Sequence, residues 1–228
     1  MLSDRELLKL AQESELISPF NQEYCEGATI NLTLSPIAKQ YSSDEPITLG
    51  MEISDQHYKM INLETDDFVI EPTKSVLIQT NEFLKIPSNM TGRIYERYSV
   101  KSLGLLISPA HYLNPGYRGK ISLLAVNTTT VPIRLVPGIK ICQLGLFKLE
   151  SEPLKPYEKQ NPKYMDAQNV SISKLHLDEE IQEFLRSKGL NNVSDNMVRD
   201  LGDYLMSHIK KSAKNLAAIA KEELNKLD

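Results

Sequence analysis

The sequence predicts a mainly β domain flanked by helices, and three observations carry that prediction. Between Ala28 and Leu149 the chain breaks into short runs, alternating or rich in β-branched residues, as half-buried strands do. Clusters of Pro, Gly, Asn and Ser separate these runs, which favours an all-β barrel or sandwich over alternating βαβ units. Trp is absent while Pro occurs 12 times, a composition that suits many tight corners.

A short helix comes first. Ser3 followed by Glu6 forms a capping box that satisfies two orphan amide donors ahead of Leu7, Leu8 and Leu10. That helix is expected to end before Pro19. Strands follow in ATINLTL, FVIEP, SVLIQT, GLLISP, KISLLAVN, VPIRLV and IKICQLGLF. Residues 151–176 are polar, carry three prolines and hold no convincing strand, so they form either a linker or a functional segment. Asp178 to Lys188 reads as a short helix ended by Gly189. Ser194 then caps a longer one, with Val198, Leu201, Leu205, Ile209, Leu216, Ile219 and Leu224 at helical spacing. Lys210, Lys211 and Lys214 cluster on its other face, and Gly202 mildly weakens it. This pair is either a helical hairpin packed within a dimer or trimer of the chain, or a docking surface for another protein. The expected organisation is a β domain over residues 1–176, including 151–176, and a helical extension over 177–228.

The 228 residues suffice for one sizeable domain with an appendage. Hydrophobic and charged contents of 41% and 25% are those of an ordinary soluble protein, and a net charge of −4 leaves no electrostatic footprint for nucleic acid. No apolar run approaches the roughly 20 residues that cross a bilayer. MLSDRELLKL lacks the basic n-region of a signal peptide. Cys25 and Cys142 are too far apart in sequence to suggest a disulfide framework or a metal knuckle. A cytoplasmic protein with two reduced thiols is expected.

Several chemistries are excluded by absence. There is no P-loop, no GxGxxG after a strand and no GxSxG elbow. Without an HxE motif and a PCxxC pair there is no zinc-dependent nucleobase deamination. His57, His111, His176 and His208 are not spaced as metal ligands.

Three segments can carry a site. YERYSVKSLGL places Arg97, Ser99, Lys101 and Ser102 together before a Gly-containing apolar stretch. Guanidinium forks, hydroxyls and free turn amides are what a polyphosphate needs, although a solvated charged loop reads the same way. Around AHYLNPGYRGKISLLAVN, Pro109, Pro115, Gly116 and Gly119 fix a rigid excursion from which Ala110, His111 and Tyr112 offer backbone donors and acceptors to a flat ring. The Pro/Lys/Tyr-rich residues 151–168 can fold over a bound ligand as a lid.

At these residues the chain resembles the dCTP deaminase branch of the dUTPase superfamily. The resemblance runs from MLSDREL through GATINLTL, GRIYERYSVKSLGL, AHYLNPGYRGKISLLAVN and PIRLVPGIKICQLGLF to PYEKQNPKYMDAQ, about residues 1–175, in order and spacing. It implies a distorted jelly roll, a homotrimer with sites between subunits, and a pyrimidine deoxynucleoside triphosphate bound with Mg²⁺ held through its phosphates. Against the family's Arg-Ser-Ser-x-x-Arg phosphate segment, Arg97 and Ser99 match, Tyr98 replaces one serine and Ser102 the second arginine. Ala110 and His111 match the pair whose backbone faces the pyrimidine. Tyr157, Lys163 and Tyr164 match the closing segment, and Gln168 sits one position later than the family's glutamine.

The resemblance does not carry the catalytic groups across. The family's strand glutamate, which activates water, lies ten residues after the aspartate of an Asp-Pro-Gly turn; here the two positions are Leu124 and Asn114. Leucine exchanges no proton and an amide is a very poor base. With Ser102, three expected polar or charged positions are altered together. Glu96 is the nearest replacement acid, but strand alternation points it opposite to Arg97, and no acidic residue lies between Asn114 and Lys148. The expected function is nucleotide binding, in sensing or through a protein partner at the C-terminal helices, without the family's chemistry. The alternative is an active dCTP deaminase or dUTP diphosphatase with a rearranged site.

Overall fold

Helix α1 (Asp4–Glu13) starts where the capping pair places it: the Ser3 N–H donates to the Glu6 carboxylate at 3.1 Å, and Leu7 is fully buried. The computed structural model describes residues 1–107, 111–190, 206–210 and 213. Within these the chain divides into two compact units, Met1–Pro46 with Ile53–Ser173, and Ile47–Glu52 with the described residues from Lys174 onward.

In the first unit α1 is followed by β1 (Ile17–Ser18), β2 (Cys25–Glu26), β3 (Thr29–Thr33), β4 (Ile37–Tyr41), β5 (Tyr58–Asn62), β6 (Val69–Ile70), β7 (Ser75–Lys85) and β8 (Met90–Glu96). A single helical turn, α2 (Tyr98–Lys101), leads to β9 (Leu105–Ile107), β10 (His111–Leu113), β11 (Arg118–Asn127), β12 (Ile133–Arg134) and β13 (Lys140–Lys148). One antiparallel sheet has the order β5-β4-β7-β11-β9, with β1 also on β7; a second runs β10-β8-β13-β3-β2; β12 pairs with β6. Ile30 and Leu32 of one sheet and Ile78, Leu84, Ile121 and Leu123 of the other belong to one buried cluster, so the fold is mainly β around a shared core, as predicted.

The apolar runs named from the sequence each hold a strand, whereas β1, β2, β4, β5, β8 and β10 escape that reading. β8 contains Gly92, which looks like a turn signal. Its actual role is clearance: a Cβ there would come within 3.0 Å of Leu113 and 3.2 Å of Leu144 on the flanking strands. β4 carries Lys39, which is buried and satisfied by Asp55 at 2.7 Å.

Two polar devices shape the β7–β11 pair. Its register shifts between Lys120 and Ser122, and there the Ile121 N–H donates to the Thr80 hydroxyl at 3.0 Å, which in turn donates to the Glu82 carbonyl at 3.0 Å. At the far end of β11, Asn127 is fully buried. Its amide donates to the Ile70 and Val131 carbonyls, each at 2.8 Å, and its side-chain oxygen accepts from the Thr129 N–H and hydroxyl, each at 2.8 Å.

In the second unit α3 (Glu179–Ser187) starts after Asp178 and ends before Gly189, whose φ of 73° is one glycine adopts without strain. Ile181 and Leu185 close on Gly50, where a Cβ would meet them at 2.7 and 3.0 Å, and Gln182 donates to the Gly50 carbonyl at 3.0 Å. Residues 206–210 and 213 are helical; the rest of the helix expected after Ser194 lies outside the described residues. Among the described residues no helix is long and apolar enough to cross a membrane.

Candidate functional site

Strand alternation along β11 sends Ile121, Leu123 and Ala125 into the core and leaves Lys120, Ser122 and Leu124 on the other face. Leu124 stands directly opposite Leu77 of β7, and Ser122 opposite Gln79. Over this face lies a cleft of about 460 Å³. Leu77, Lys120, Ser122 and Leu124 form one side; Tyr112, Leu113, Asn114 and Tyr117 come from β10 and the turn that follows; Tyr157, Tyr164 and Ser171–Ser173 come from the segment after β13.

That segment is fastened along β11 by backbone bonds. The Tyr157 N–H donates to the Pro115 carbonyl, Asp166 N–H to Arg118 and Lys120 N–H to Ala167, each at 2.8 Å. The Ser171 N–H donates to the Ser122 hydroxyl at 2.8 Å. The Arg118 guanidinium grips the Asp166 carboxylate with two bonds, at 3.0 and 2.9 Å. Gly119 makes the approach feasible: its φ is +144°, and a Cβ would lie 3.1 Å from the Ala167 nitrogen. Tyr117 is buried, packs its ring 5.9 Å from that of Tyr157 and donates its hydroxyl to the Lys120 carbonyl at 3.1 Å. Burial pushes its phenol far above the ordinary range, with the neighbouring Tyr157 and Asp166 adding to the effect.

The charge content of the cleft is unusual for an acid–base site. Among its described lining residues Lys120 is the only one charged at neutral pH, and none is a carboxylate. Leu124 is 38% exposed, so its methyl groups face the opening.

The expected phosphate-binding residues lie elsewhere on the chain. Arg97 caps α2 and its guanidinium donates to the Asn31 side chain at 2.9 Å; buried Asn31 donates in turn to the Tyr24 carbonyl at 3.2 Å. Lys101 pairs with Glu96 at 2.8 Å, and the Ser102 hydroxyl reaches the Ser99 carbonyl at 3.4 Å. Glu96 and Arg97 do engage different partners, as alternation predicts. None of Arg97, Ser99, Lys101 or Glu96 lines the cleft of the same chain.

Of the other sequence-derived residues, Tyr112, Asn114, Leu124, Tyr157 and Tyr164 line the cleft, while Lys163 and exposed Gln168 do not. The backbone of His111 pairs with Ile94 on β8, and Ala110 lies outside the described residues. Sequence reading did not single out Lys120, Ser122, Leu77 or Ser171–Ser173. The first two share the period-2 phase of Leu124 and were findable from it. Leu77 and the serines reach the cleft only through pairing between distant segments.

Comparison with known proteins agrees with this layout. The dCTP deaminase-like family matches residues 1–149. A dUMP-forming dCTP deaminase of Persephonella marina is 30% identical over 183 residues, covering 79% of this chain and 99% of the relative. One from Methanopyrus kandleri is 29% identical over 187 residues, covering 78% of this chain and 97% of its own length. The crystal structure of 2′-deoxycytidine 5′-triphosphate deaminase from Agrobacterium tumefaciens shares the fold with a TM-score of 0.52 at 16% identity; the match covers 64% of this chain and 45% of that one. The cleft beside β11, the turn before it and the segment after β13 are thus set in a chain that belongs to the dCTP deaminase-like family.

Proposed function

We propose that this chain is a nucleotide-binding member of its family that does not deaminate by the family's route, and acts as a sensor or interaction module. The observation that carries the reading is Leu124. It stands in the cleft at the strand position where the resemblance puts a water-activating glutamate, and no described lining residue supplies a carboxylate instead. A side chain with no lone pair to accept a proton cannot act as general base, and Glu96 is engaged by Lys101 outside the cleft.

The ligand proposed is a pyrimidine deoxynucleoside triphosphate. Its base and sugar would lie in the cleft against Tyr112, Asn114 and Tyr117, and its phosphates against Arg97, Ser99 and Lys101. Because one chain keeps these two sets apart, the complete site is proposed to form between copies, in a homotrimer. Mg²⁺ fits this arrangement as a ligand of the phosphates: among the described residues no group of three or more His, Cys, Asp or Glu could hold a metal. Bound there, it would neutralise phosphate charge. Residues 1–176 then bind nucleotide, and 177–228 contact a partner protein.

The test is calorimetric titration with dCTP, dUTP, dTTP and ATP in Mg²⁺, together with chromatography of the incubated nucleotides. Expected are saturable binding of a pyrimidine deoxynucleotide, at least tenfold weaker in Arg97→Ala, and no deaminated or hydrolysed product. Absence of binding at millimolar nucleotide would sink the proposal, as would robust turnover.

A second reading is favoured by the relatives, which are named as dCTP deaminases and are matched over nearly their whole length. On that reading the chain is an active deaminase or diphosphatase with a rearranged site. Robust turnover that disappears on substituting Glu96 or His111 would favour it over the first.

A further inference from the structure

A second cavity, of about 280 Å³, opens between the β1–β2 connection and the strands β3 and β7, away from the cleft. Glu82 lines it and is only 4% exposed. Its carboxylate is bound by neutral donors alone: the Thr33 N–H at 2.9 Å and the Thr33 hydroxyl at 2.6 Å. No cationic side chain pairs with it among the described residues. A buried carboxylate normally has a counter-charge, because two neutral hydrogen bonds repay only part of its lost hydration.

The charged and titratable groups around it do not fill that role. Lys120 on β11 reaches Glu82 only through its field, and the Cys142 thiol on β13 is buried and held protonated, chiefly by burial and then by Glu82 itself. Arg97 makes its bond to Asn31 rather than to Glu82, and Lys140 sits 4.3 Å over the ring of Tyr24. Phe20 and Tyr24 supply aromatic walls, Ile30 an apolar one, and Asn81 an amide.

We propose that this cavity is a binding site for a compact organic cation, a guanidinium group above all, with Glu82 as its counter-ion. Guanidinium is planar and weakly hydrated, so it matches a carboxylate with two bonds and is desolvated at lower cost than ammonium. Aromatic walls favour it further. A divalent metal is a poor fit because Glu82 is a single carboxylate and no acidic or imidazole cluster accompanies it among the described residues. The group is borne either by a free small molecule or by an arginine side chain of another protein.

The probe is methylguanidinium chloride added to the full chain, with methylurea as neutral isostere and NaCl at equal ionic strength. Saturable binding is expected, with a rise in melting temperature of about 3–6 °C at ten times the half-saturating concentration. Glu82→Gln, which keeps the shape and the Thr33 bonds, should abolish the response. Thr33→Arg, which brings a guanidinium to the carboxylate in cis, should raise the melting temperature without probe and remove the response to it. In the unsubstituted chain the Glu82 carboxyl, followed by carbon NMR, should titrate lower with probe than without. An arginine-containing peptide that competes with methylguanidinium assigns the group to a protein partner, whereas agmatine competing alone assigns it to a small molecule. No saturable response below about 20 mM, or an equal response in Glu82→Gln or to methylurea, overturns the proposal. None of these readouts depends on nucleotide binding.

Discussion

Leu124→Glu is the substitution that most directly examines what the cleft recognises. Leu124 is 38% exposed and packs across the strand pair from Leu77. Full burial of a leucine contributes about 1.5–3 kcal/mol, so exchanging this partly buried one costs roughly 1–2 kcal/mol, which a domain of ordinary stability tolerates. The ligand should respond more strongly. In the unsubstituted chain the lining polar groups are mostly hydroxyls, which donate and accept equally well, so dCTP and dUTP should bind within a few-fold of each other. A carboxylate at 124 accepts only. Facing the exocyclic amine of cytosine it gains a charge-assisted bond, and facing the uracil carbonyl it meets repulsion. A hydrogen bond to a charged group is worth about 1.5–3 kcal/mol; in a half-open cleft about 1–2 kcal/mol survives, or roughly a 5–30-fold shift toward dCTP. Paired calorimetric titrations of both nucleotides in Mg²⁺, with Leu124→Gln as the neutral control, measure it. A ratio that stays put, or moves toward dUTP, would refute the placement of residue 124 beside the base. Deamination is not expected to appear, since Asn114 and Ser102 are unchanged.

Two further outcomes follow from buried polar groups. Asn127→Ala removes the four hydrogen bonds of a fully buried amide at the end of β11 and should destabilise the fold by about 2–4 kcal/mol, read as a melting temperature about 5–15 °C lower. Glu82 is held above its ordinary 4.5, first by burial, with the Thr33 bonds and the field of Lys120 opposing. The folded state therefore binds that proton more tightly than the unfolded one. Its stabilising effect is complete below about pH 4.5 and is lost as pH rises through the elevated folded value. Denaturation curves across that range should show the unsubstituted chain losing stability relative to Glu82→Gln as pH increases; parallel curves would contradict the assignment.

Much of the fold is legible because β3, β7, β11 and β13 are apolar or β-branched enough to be read as strands, and β11 also states its period. What stayed hidden has physical causes. β7 carries Gln79, Thr80 and Glu82 in succession around Asn81, and all three are buried. A strand covered on both faces loses the polar-out alternation that would mark its sides, so Glu82 reads as a solvent-facing residue. Gly92 in β8 answers a close approach by Leu113 and Leu144, which no local pattern contains. The cleft divides in the same way. Asn114, Tyr112 and Tyr157 declare themselves by turn chemistry and composition, whereas Leu77 joins Leu124 only through a strand register spanning 77 to 124.

Leu124 also carries information that does not depend on any relative. On β11 the buried phase is Ile121, Leu123 and Ala125, so a leucine at 124 occupies the phase shared with Lys120 and Ser122. An apolar residue on the open phase of a strand is unremarkable when isolated. Here it adjoins Leu77, is overhung by Ser171–Ser173, and sits at the head of a tyrosine-lined cleft. Such a surface suits the face of a planar ring while offering it no proton acceptor of full charge. Under the proposed function, a leucine at this position would leave the floor of a binding surface in place without supplying a general base. On that proposal binding and chemistry separate at this one position, and the dCTP-to-dUTP affinity ratio is the quantity that reports on the first without requiring the second.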